Sequence, residues 1–370
     1  MRNNTLVIID WIAGLIISPL ILLVKLLKYC MPRFNESARQ GRLIIKFLGA
    51  GNYVAMADVI DANTALISVL SNKVTIETFL HPKKVFYIDD SNLVALAFTS
   101  FRALLFTLKG GYHEAINLET ESNFSKLLVC IARSDLTLGI TNINKSFLDQ
   151  ITYDRYLVNP VMVSKPDSIK LLSNFQLMSN PHILGVIQSS QKLFLDSVRF
   201  PNGISTILLA PSGSDTNTLR RLNASVWEKI VERILSNFPN ASIQLIFPND
   251  CDWQYRELTS LLRGCKSITV QIGNYSEYLE QVKNTDLVVC IDSQTLHIAT
   301  QFNIPVIAFF GPSSPYGVNY DKNIYPISQA PMCSPCVHKY FTTPCSDRAF
   351  CMDFEDSEID IFDRLRTLCA

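Results

Sequence analysis

The chain has 370 residues, with 33 Lys plus Arg against 33 Asp plus Glu and 48% hydrophobic residues. Such a length exceeds one ordinary core, so two domains are expected. Balanced charge gives no overall field for nucleic acid, which is excluded as a charge-driven partner. Ten mostly scattered cysteines, without a cleavable secretory pattern, fit a reducing cytosol better than a disulfide framework.

Residues 6–27, LVIIDWIAGLIISPLILLVKLL, are the membrane-like stretch. Asp10 and Lys25 bracket 14 uncharged residues, Trp11 to Val24, broken by Gly14 and Pro19. Spanning a bilayer takes about 20 apolar residues. The segment is therefore expected to lie on or dip into a membrane, to pack as a helix on the protein, or to act as a signal peptide. The last has one preceding positive residue, Arg2, and no small-x-small site behind it. Lys25, Lys28, Arg33, Arg39 and Arg42 follow, a positive-inside bias that leaves the body cytoplasmic. The reading is a membrane-associated segment over 1–40, domains over 41–195 and 196–355, and a tail over 356–370.

Leu43 to Leu48 predicts a buried first strand, and Gly49-Ala50-Gly51-Asn52 the turn into a helix. Strands at Val74–Ile76 and Val85–Ile88 are expected to alternate with helices around 54–70 and 91–107. Tyr112–Leu118 reads as a strand, followed by Glu119 and Glu121, a helix over Asn123–Arg133, and a strand at Thr137–Ile140. Glu119 at a strand's carboxyl end can simply complement the dipole of the helix that follows. Pro160, Pro166, Pro181 and Pro201 mark a connection with a hinge near 190–203.

The second domain opens with a strand at Ile204–Ala210 and the loop Pro211-Ser212-Gly213-Ser214-Asp215. Arg220 and Arg221 come next; guanidinium forks suit phosphate oxygens, and surface arginines are the plain alternative. Ser225-x-x-Glu228 has the pattern of a capping box ahead of a helix with Val226, Ile230, Ile234 and Phe238 on one face. Further strands are expected at Ile243–Phe247 and Ile268–Ile272.

Leu287–Ile291 and Pro305–Phe310 read as buried strands around a helix carrying Leu296, Ala299 and Phe302. Such a strand-helix-strand unit makes the strands parallel, and open parallel sheets bind ligands beyond their carboxyl ends. Asp292, Ser293 and Gly311 fall there, as do the free N–H groups of Gln294, Thr295 and Leu296, a helix N-terminus suited to phosphate. His297 lies one turn in and can reach the same place.

Asp292-Ser293-x-x-x-His297-x-Ala299, then Pro305-Val306 and Phe310-Gly311-Pro312, resemble the signature of the heptosyltransferase-type glycosyltransferases of family 9. The resemblance runs from about Leu43 to Met352. It implies a GT-B fold, an α/β architecture of two Rossmann-like domains facing a cleft, preceded here by an N-terminal apolar helical segment. It implies inverting transfer of a heptose or related sugar from a nucleotide-diphosphate donor to a saccharide or glycolipid acceptor of a lipopolysaccharide-type glycan. No cofactor or metal is required. The expected setting is the cytoplasmic face of the inner membrane.

By the same resemblance, Ser212, Ser214, Arg221, Asp292, Ser293, Gln294, Thr295, His297, Gly311 and Pro312 are donor-binding. Gly49 and Gly51 belong to the acceptor-side loop. Gln294 stands where the family has glycine, and Pro248-Asn249 where it has a glycine pair. Asn52 stands where the family carries an aspartate that takes the acceptor's proton. An amide cannot take that proton, so Glu119 is the replacement candidate. Cys333, Cys336, Cys345 and Cys351 follow the family's C-x-P-C…C…C-M tail; a structural metal, disulfides or buried thiols all fit four such cysteines. A sugar-nucleotide binding or scaffold protein without catalysis is the reading from another class, and a GT-B epimerase is a third.

Overall fold

A computed structural model describes residues 19–24, 41–57, 60–119, 122–141, 180–200, 202–213, 218–247, 253–262, 267–313, 322–329 and 348–369, with short pieces at 150–158, 315, 331–336 and 344–346. The chain divides into two units, Met1–Phe175 and Gln176–Ala370.

The first unit is a six-stranded parallel sheet: β1 (Arg42–Ile45), β2 (Thr64–Val69), β3 (Lys84–Ile88), β4 (Gly111–Asn117), β5 (Arg133–Thr141) and β6 (Arg155–Val158), in the order β3-β2-β1-β4-β5-β6. Side chains alternate along β1. Leu43 and Ile45 join one core with Ala103, Leu127 and Leu128, while Ile44 joins another with Tyr53 and Ile76. The first core is covered by α4 (Leu93–Lys109) and α5 (Asn123–Ile131), the second by α2 (Ala50–Ala55) and α3 (Lys73–Phe79). A sheet clothed on both faces explains near-continuous apolar strands such as Leu43–Ile45.

The expected strand at Val74–Ile76 is instead α3, and the expected helix around 54–70 is short α2 followed by strand β2. Short apolar runs such as Ala65–Val69 fit either period; the β-branched Thr64, Ile67 and Val69 favour the strand that forms. Of the apolar stretch 6–27, residues 19–24 are described, as a helical segment, α1. Ile21 is fully buried in the core with Ala103, and its carbonyl accepts from the Cys130 thiol, while Leu20, Leu22 and Leu23 are exposed. This part of the stretch is a helix packed on the protein. Among the described residues no helix is long and apolar enough to cross a membrane.

The second unit repeats the plan with β7 (Thr206–Ala210), β8 (Ser242–Phe247), β9 (Ile268–Ile272), β10 (Leu287–Ile291), β11 (Val306–Phe310) and β12 (Ile324–Ser328), ordered β12-β11-β10-β7-β8-β9, all parallel. Helix α6 (Asn180–Ser197) packs on β12 through Phe194 against Tyr325, and Gln191 donates to the Pro326 carbonyl. The division therefore falls earlier than the 195/196 boundary read from the prolines. The expected capping box at Ser225 does not form. Helix α7 (Ala224–Asn237) starts after Asn223, whose side chain bonds Asp353 at 2.6 Å. Its apolar face, Val226, Ile230 and Ile234, is buried as the period predicts. Helices α8 (Trp253–Leu261), α9 (Tyr275–Lys283) and α10 (Gln294–Gln301) complete the crossovers.

The segment expected as a tail is core. Ile359, Ile361, Phe362 and Leu365, around α11 (Ile361–Arg364), are fully buried in the same cluster as Trp227 and Phe309. Apolar residues at 359, 361, 362, 365 and 368 make a closely spaced set too short to announce a helix, and it packs on α7. Phe362→Ala should therefore cost about 3–5 kcal/mol in chemical denaturation. An unchanged midpoint would show the C-terminus to be an appendage.

Candidate functional site

In each sheet the chain winds outward from a first strand and then returns to its other side. Crossovers leave in opposite directions between β1 and β4 in the first unit, and between β7 and β10 in the second. Such switch points hold an uncovered crevice at the carboxyl edge, where open α/β sheets bind ligands.

At the second unit's switch point, Pro211-Ser212-Gly213 leaves β7 and Asp292-Ser293 leaves β10, whose strands pair with Cys290 opposite Ala210. Gly213 lies on the end of β10: a Cβ there would stand 3.2 Å from Ile291 Cδ1. Ser293 is extended and N-caps α10 without a side-chain cap bond, and its buried Oγ has no hydrogen-bond partner. Ser313 Oγ, after Gly311-Pro312, is likewise buried and unpartnered. Buried hydroxyls are normally satisfied, so two orphans on neighbouring loops, one of them at a helix N-terminus, suit an oxygen-rich ligand.

The charged groups converge here. Arg220 Nη1 meets Asp292 Oδ2 at 3.0 Å and the Asp292 carbonyl at 3.3 Å. Arg221, expected among the donor-binding residues, is buried, and its neighbour Arg220 is the one that reaches Asp292. His297 is half-buried; burial holds its imidazole below the ordinary histidine value, Asp292 draws it up and Arg220 pushes it down. Gln294, in the place of the family's glycine, donates to the Tyr275 hydroxyl, and Tyr278 donates to Thr295 Oγ1 at 2.5 Å. Residues from α9 thus fix the first turn of α10, a support that loop reading alone missed. Tyr275 and Tyr278 lie three apart on one helix face, which was the available signal. Ser214, Pro248 and Asn249 lie outside the described residues.

Gly311 serves packing. A Cβ there would come within 2.5 Å of Met352 Sδ and 2.9 Å of the Cys351 carbonyl. Ser334 Oγ donates to the Gly311 carbonyl at 2.7 Å, and the Cys336 amide to the Pro312 carbonyl at 2.9 Å. The Cys-x-x-Cys segment therefore clamps the turn after β11. Cys333, Cys336, Cys345 and Cys351 are thiols; burial, then Cys336, Cys333 and Cys345, push the Cys351 thiol up to about 12. Among the described residues no group of three or more His, Cys, Asp or Glu is arranged to hold a metal.

At the first unit's switch point Glu119 is nearly buried. Its Oε1 accepts from Lys46 Nζ at 2.8 Å, the Phe47 amide at 2.6 Å and the Leu48 amide at 2.9 Å. It thus ties the end of β4 to the turn after β1. Asn72 Nδ2 donates to the Phe47 carbonyl at 2.6 Å, fastening the same turn. Gly49 caps α2 at φ 85°, a left-handed conformation that favours glycine, and a Cβ there would meet Asn52 Nδ2 at 2.7 Å. Asn52 is exposed in the first turn of α2, and Gly51 lies beside it. Glu121 lies outside the described residues.

Two doubly wound parallel sheets, each with a switch point at its carboxyl edge, define an α/β protein of two Rossmann-like units. Residues 205–345 match the family model of glycosyltransferase family 9 (heptosyltransferase). The glycosyl transferase family 9 protein of Veillonella parvula has the same fold, with 12% identity, a TM-score of 0.57 and coverage of 89% of this chain and 95% of its own. For the Escherichia coli ADP-heptose LPS heptosyltransferase II the figures are 13%, 0.52, 89% and 98%. For the E. coli heptosyltransferase WaaC with ADP-2-deoxy-2-fluoro heptose they are 13%, 0.51, 88% and 99%. Curated protein sequences give no significant match. The second unit carries a family 9 domain, and the chain is by class a glycosyltransferase with the two parallel-sheet units of the GT-B heptosyltransferases.

Two outcomes follow from this geometry. His297 should titrate by NMR below the ordinary histidine value of about 6.5. A nucleotide diphosphate on the loop should raise that midpoint, because an anion favours imidazolium; no movement on saturation would take His297 away from the ligand. Gly311→Ala should cost about 1–3 kcal/mol through overpacking, read by thermal unfolding. Full stability would mean the Cys351–Met352 turn yields freely.

Proposed function

We propose that the chain transfers a heptose or related sugar, with inversion, from a nucleotide-diphosphate donor to a saccharide or lipid-linked acceptor of a lipopolysaccharide-type glycan, at the cytoplasmic face of the inner membrane. The observation that carries the donor half is the pair of buried, unpartnered hydroxyls, Ser293 at the N-terminus of α10 near Arg220 and His297, and Ser313 on the loop after the adjacent strand β11. A diphosphate there takes hydrogen bonds from Ser293, Ser313 and the first-turn amides, with Arg220 shared between it and Asp292. Fixed donors and a cation aimed at the departing diphosphate supply the electrostatic stabilisation the reaction needs. Ser212, Gln294, Thr295, Gly311 and Pro312 shape this pocket, and Arg221 supports it from the interior.

On the acceptor side, a hydroxyl of the acceptor attacks the anomeric carbon while the bond to the diphosphate breaks, and its proton must pass to a base. Asn52 cannot take it. Glu119 is the carboxylate at the first unit's switch point and is assigned that role, with Lys46 holding it in place and Gly49 and Gly51 forming the turn above it.

The ion pair of Glu119 with Lys46 favours one other reading, a purely structural carboxylate in a sugar-nucleotide binding protein. Three measurements separate them. A donor that binds raises the melting temperature, by about 2.7 kcal/mol of stabilisation at one hundred times its Kd; screening ADP-, UDP- and GDP-sugars finds it. Release of nucleotide diphosphate from that sugar, by slow hydrolysis or by transfer, requires chemistry. Glu119→Gln should lower turnover about 10²–10⁴-fold with donor affinity nearly unchanged. Binding with no release by the native chain would leave a binding protein, and full turnover in a folded Glu119→Gln variant would remove the base.

A further inference from the structure

Helix α4 buries Ala103 and Thr107 and leaves its opposite side bare. Leu93, Val94, Phe98, Phe101, Leu105 and Leu108 are all exposed, from 41% for Leu105 to 80% for Val94. From Val94 these residues recur in steps of four, three, four and three, one straight stripe about 21 Å long. Contiguous apolar patches of this kind on a folded unit mark a contact surface. The helix α1, whose Ile21 shares a core with Ala103, adds exposed Leu20, Leu22 and Leu23.

The charges within the helix have one sign, while Asp89 and Asp90 lie just ahead of its N-terminus. Helix α4 contains Arg102 and Lys109 and no acidic residue. Arg102 lies over the Phe98 ring at 5.8 Å, and Lys84 over Phe106 at 5.0 Å. At the C-terminal end of the helix, Lys83, Lys84 and Lys109 line a recess of about 440 Å³ with Phe106 and Tyr112. An apolar helical face with a cationic border is how a helix lies in the plane of an anionic membrane surface. The same step pattern would also fit a second copy. Pairing of two α4 helices, however, brings Arg102 and Lys109 against cations with no acid on the helix to answer them, and like charges across an interface disfavour it.

We propose that the bare face of α4, with the exposed leucines of α1, docks on an anionic lipid bilayer, and that Lys83, Lys84 and Lys109 receive lipid phosphates. This deepens the membrane reading above, but vesicle binding is measured without donor or acceptor, so either can fail alone.

The full chain is mixed with vesicles of phosphatidylcholine alone and with phosphatidylglycerol added. Binding should be stronger to the second and weaken with salt, and Phe98→Ser with Phe101→Ser should lower partitioning at least tenfold. Lys83→Gln, Lys84→Gln and Lys109→Gln together should remove most of the preference for phosphatidylglycerol. Because serines can disturb folding, Phe101→Trp gives a second reading: its added emission should be quenched by brominated lipid. Absence of quenching beyond the native tryptophans overturns the proposal. A dimer that Phe98→Ser and Phe101→Ser dissolve, with vesicle binding unchanged, also overturns it and assigns the stripe to a second copy.

Discussion

A parallel sheet wound in both directions can be covered almost everywhere by its own crossovers. The exception is the carboxyl edge at the point where the winding reverses, and each unit has one such opening of its own. In the second unit β10 is buried throughout, from Leu287 to Ile291, because sheet neighbours flank it and helices cover both faces. Its apolar run must end where the chain emerges, and polar Asp292 and Ser293 appear there. Pairing with β7 then sets the height of the opposite loop, so Gly213 meets Ile291. The site is thus a consequence of the winding, and its chemistry comes from the few residues that the winding exposes.

The first unit uses its opening differently. Lys46 and Glu119 lie on adjacent strand ends and are both nearly buried, 2.8 Å apart. Such a pair gains little over an apolar pair, but removing one member typically costs about 3–5 kcal/mol because the other charge is stranded. Its two amide contacts add direction: Glu119 Oε1 fixes Phe47 and Leu48, and Asn72 holds the Phe47 carbonyl from the other side. The start of the turn that leads to Gly49 and Asn52 is therefore held from both sides.

The strands on either side of the switch points were legible in sequence, since Leu43–Ile45, Leu287–Ile291 and Val306–Phe310 are long apolar runs stopped by glycine or polar residues. The carboxyl-end position of Glu119, Asp292 and Ser293 followed from parallel pairing. What was not legible depends on contacts far apart in the chain. Arg220 and Arg221 are neighbours in sequence, and only the turn into α7 decides that the first reaches Asp292 while the second goes inside. Gly311 was placed at the strand end by the sequence, but its packing against Cys351 and Met352 was not visible there. The C-terminal residues 356–368 carried too short a pattern to show that they complete a core. Short elements such as α3 and β2 exchanged identities because propensity over six or seven residues is weak beside tertiary packing.

The charge balance of the second unit's loop constrains the ligand further. Asp292 carries a negative charge beside a place suited to phosphate, which taken alone would repel it. Arg220, at 3.0 Å, offsets that charge. The remaining attraction for an anion is the N-terminal dipole of α10, equivalent to about half a unit of positive charge, with Ser293 and Ser313 as hydrogen-bond donors. Burial holds the His297 imidazole below its ordinary value, and an anion bound beside it would draw it up. On the proposed reading, affinity for a diphosphate would therefore depend on directed hydrogen bonds more than on net charge. A loop of that kind would bind a diphosphate ester and still let the diphosphate go after transfer, since Arg220 is shared with Asp292.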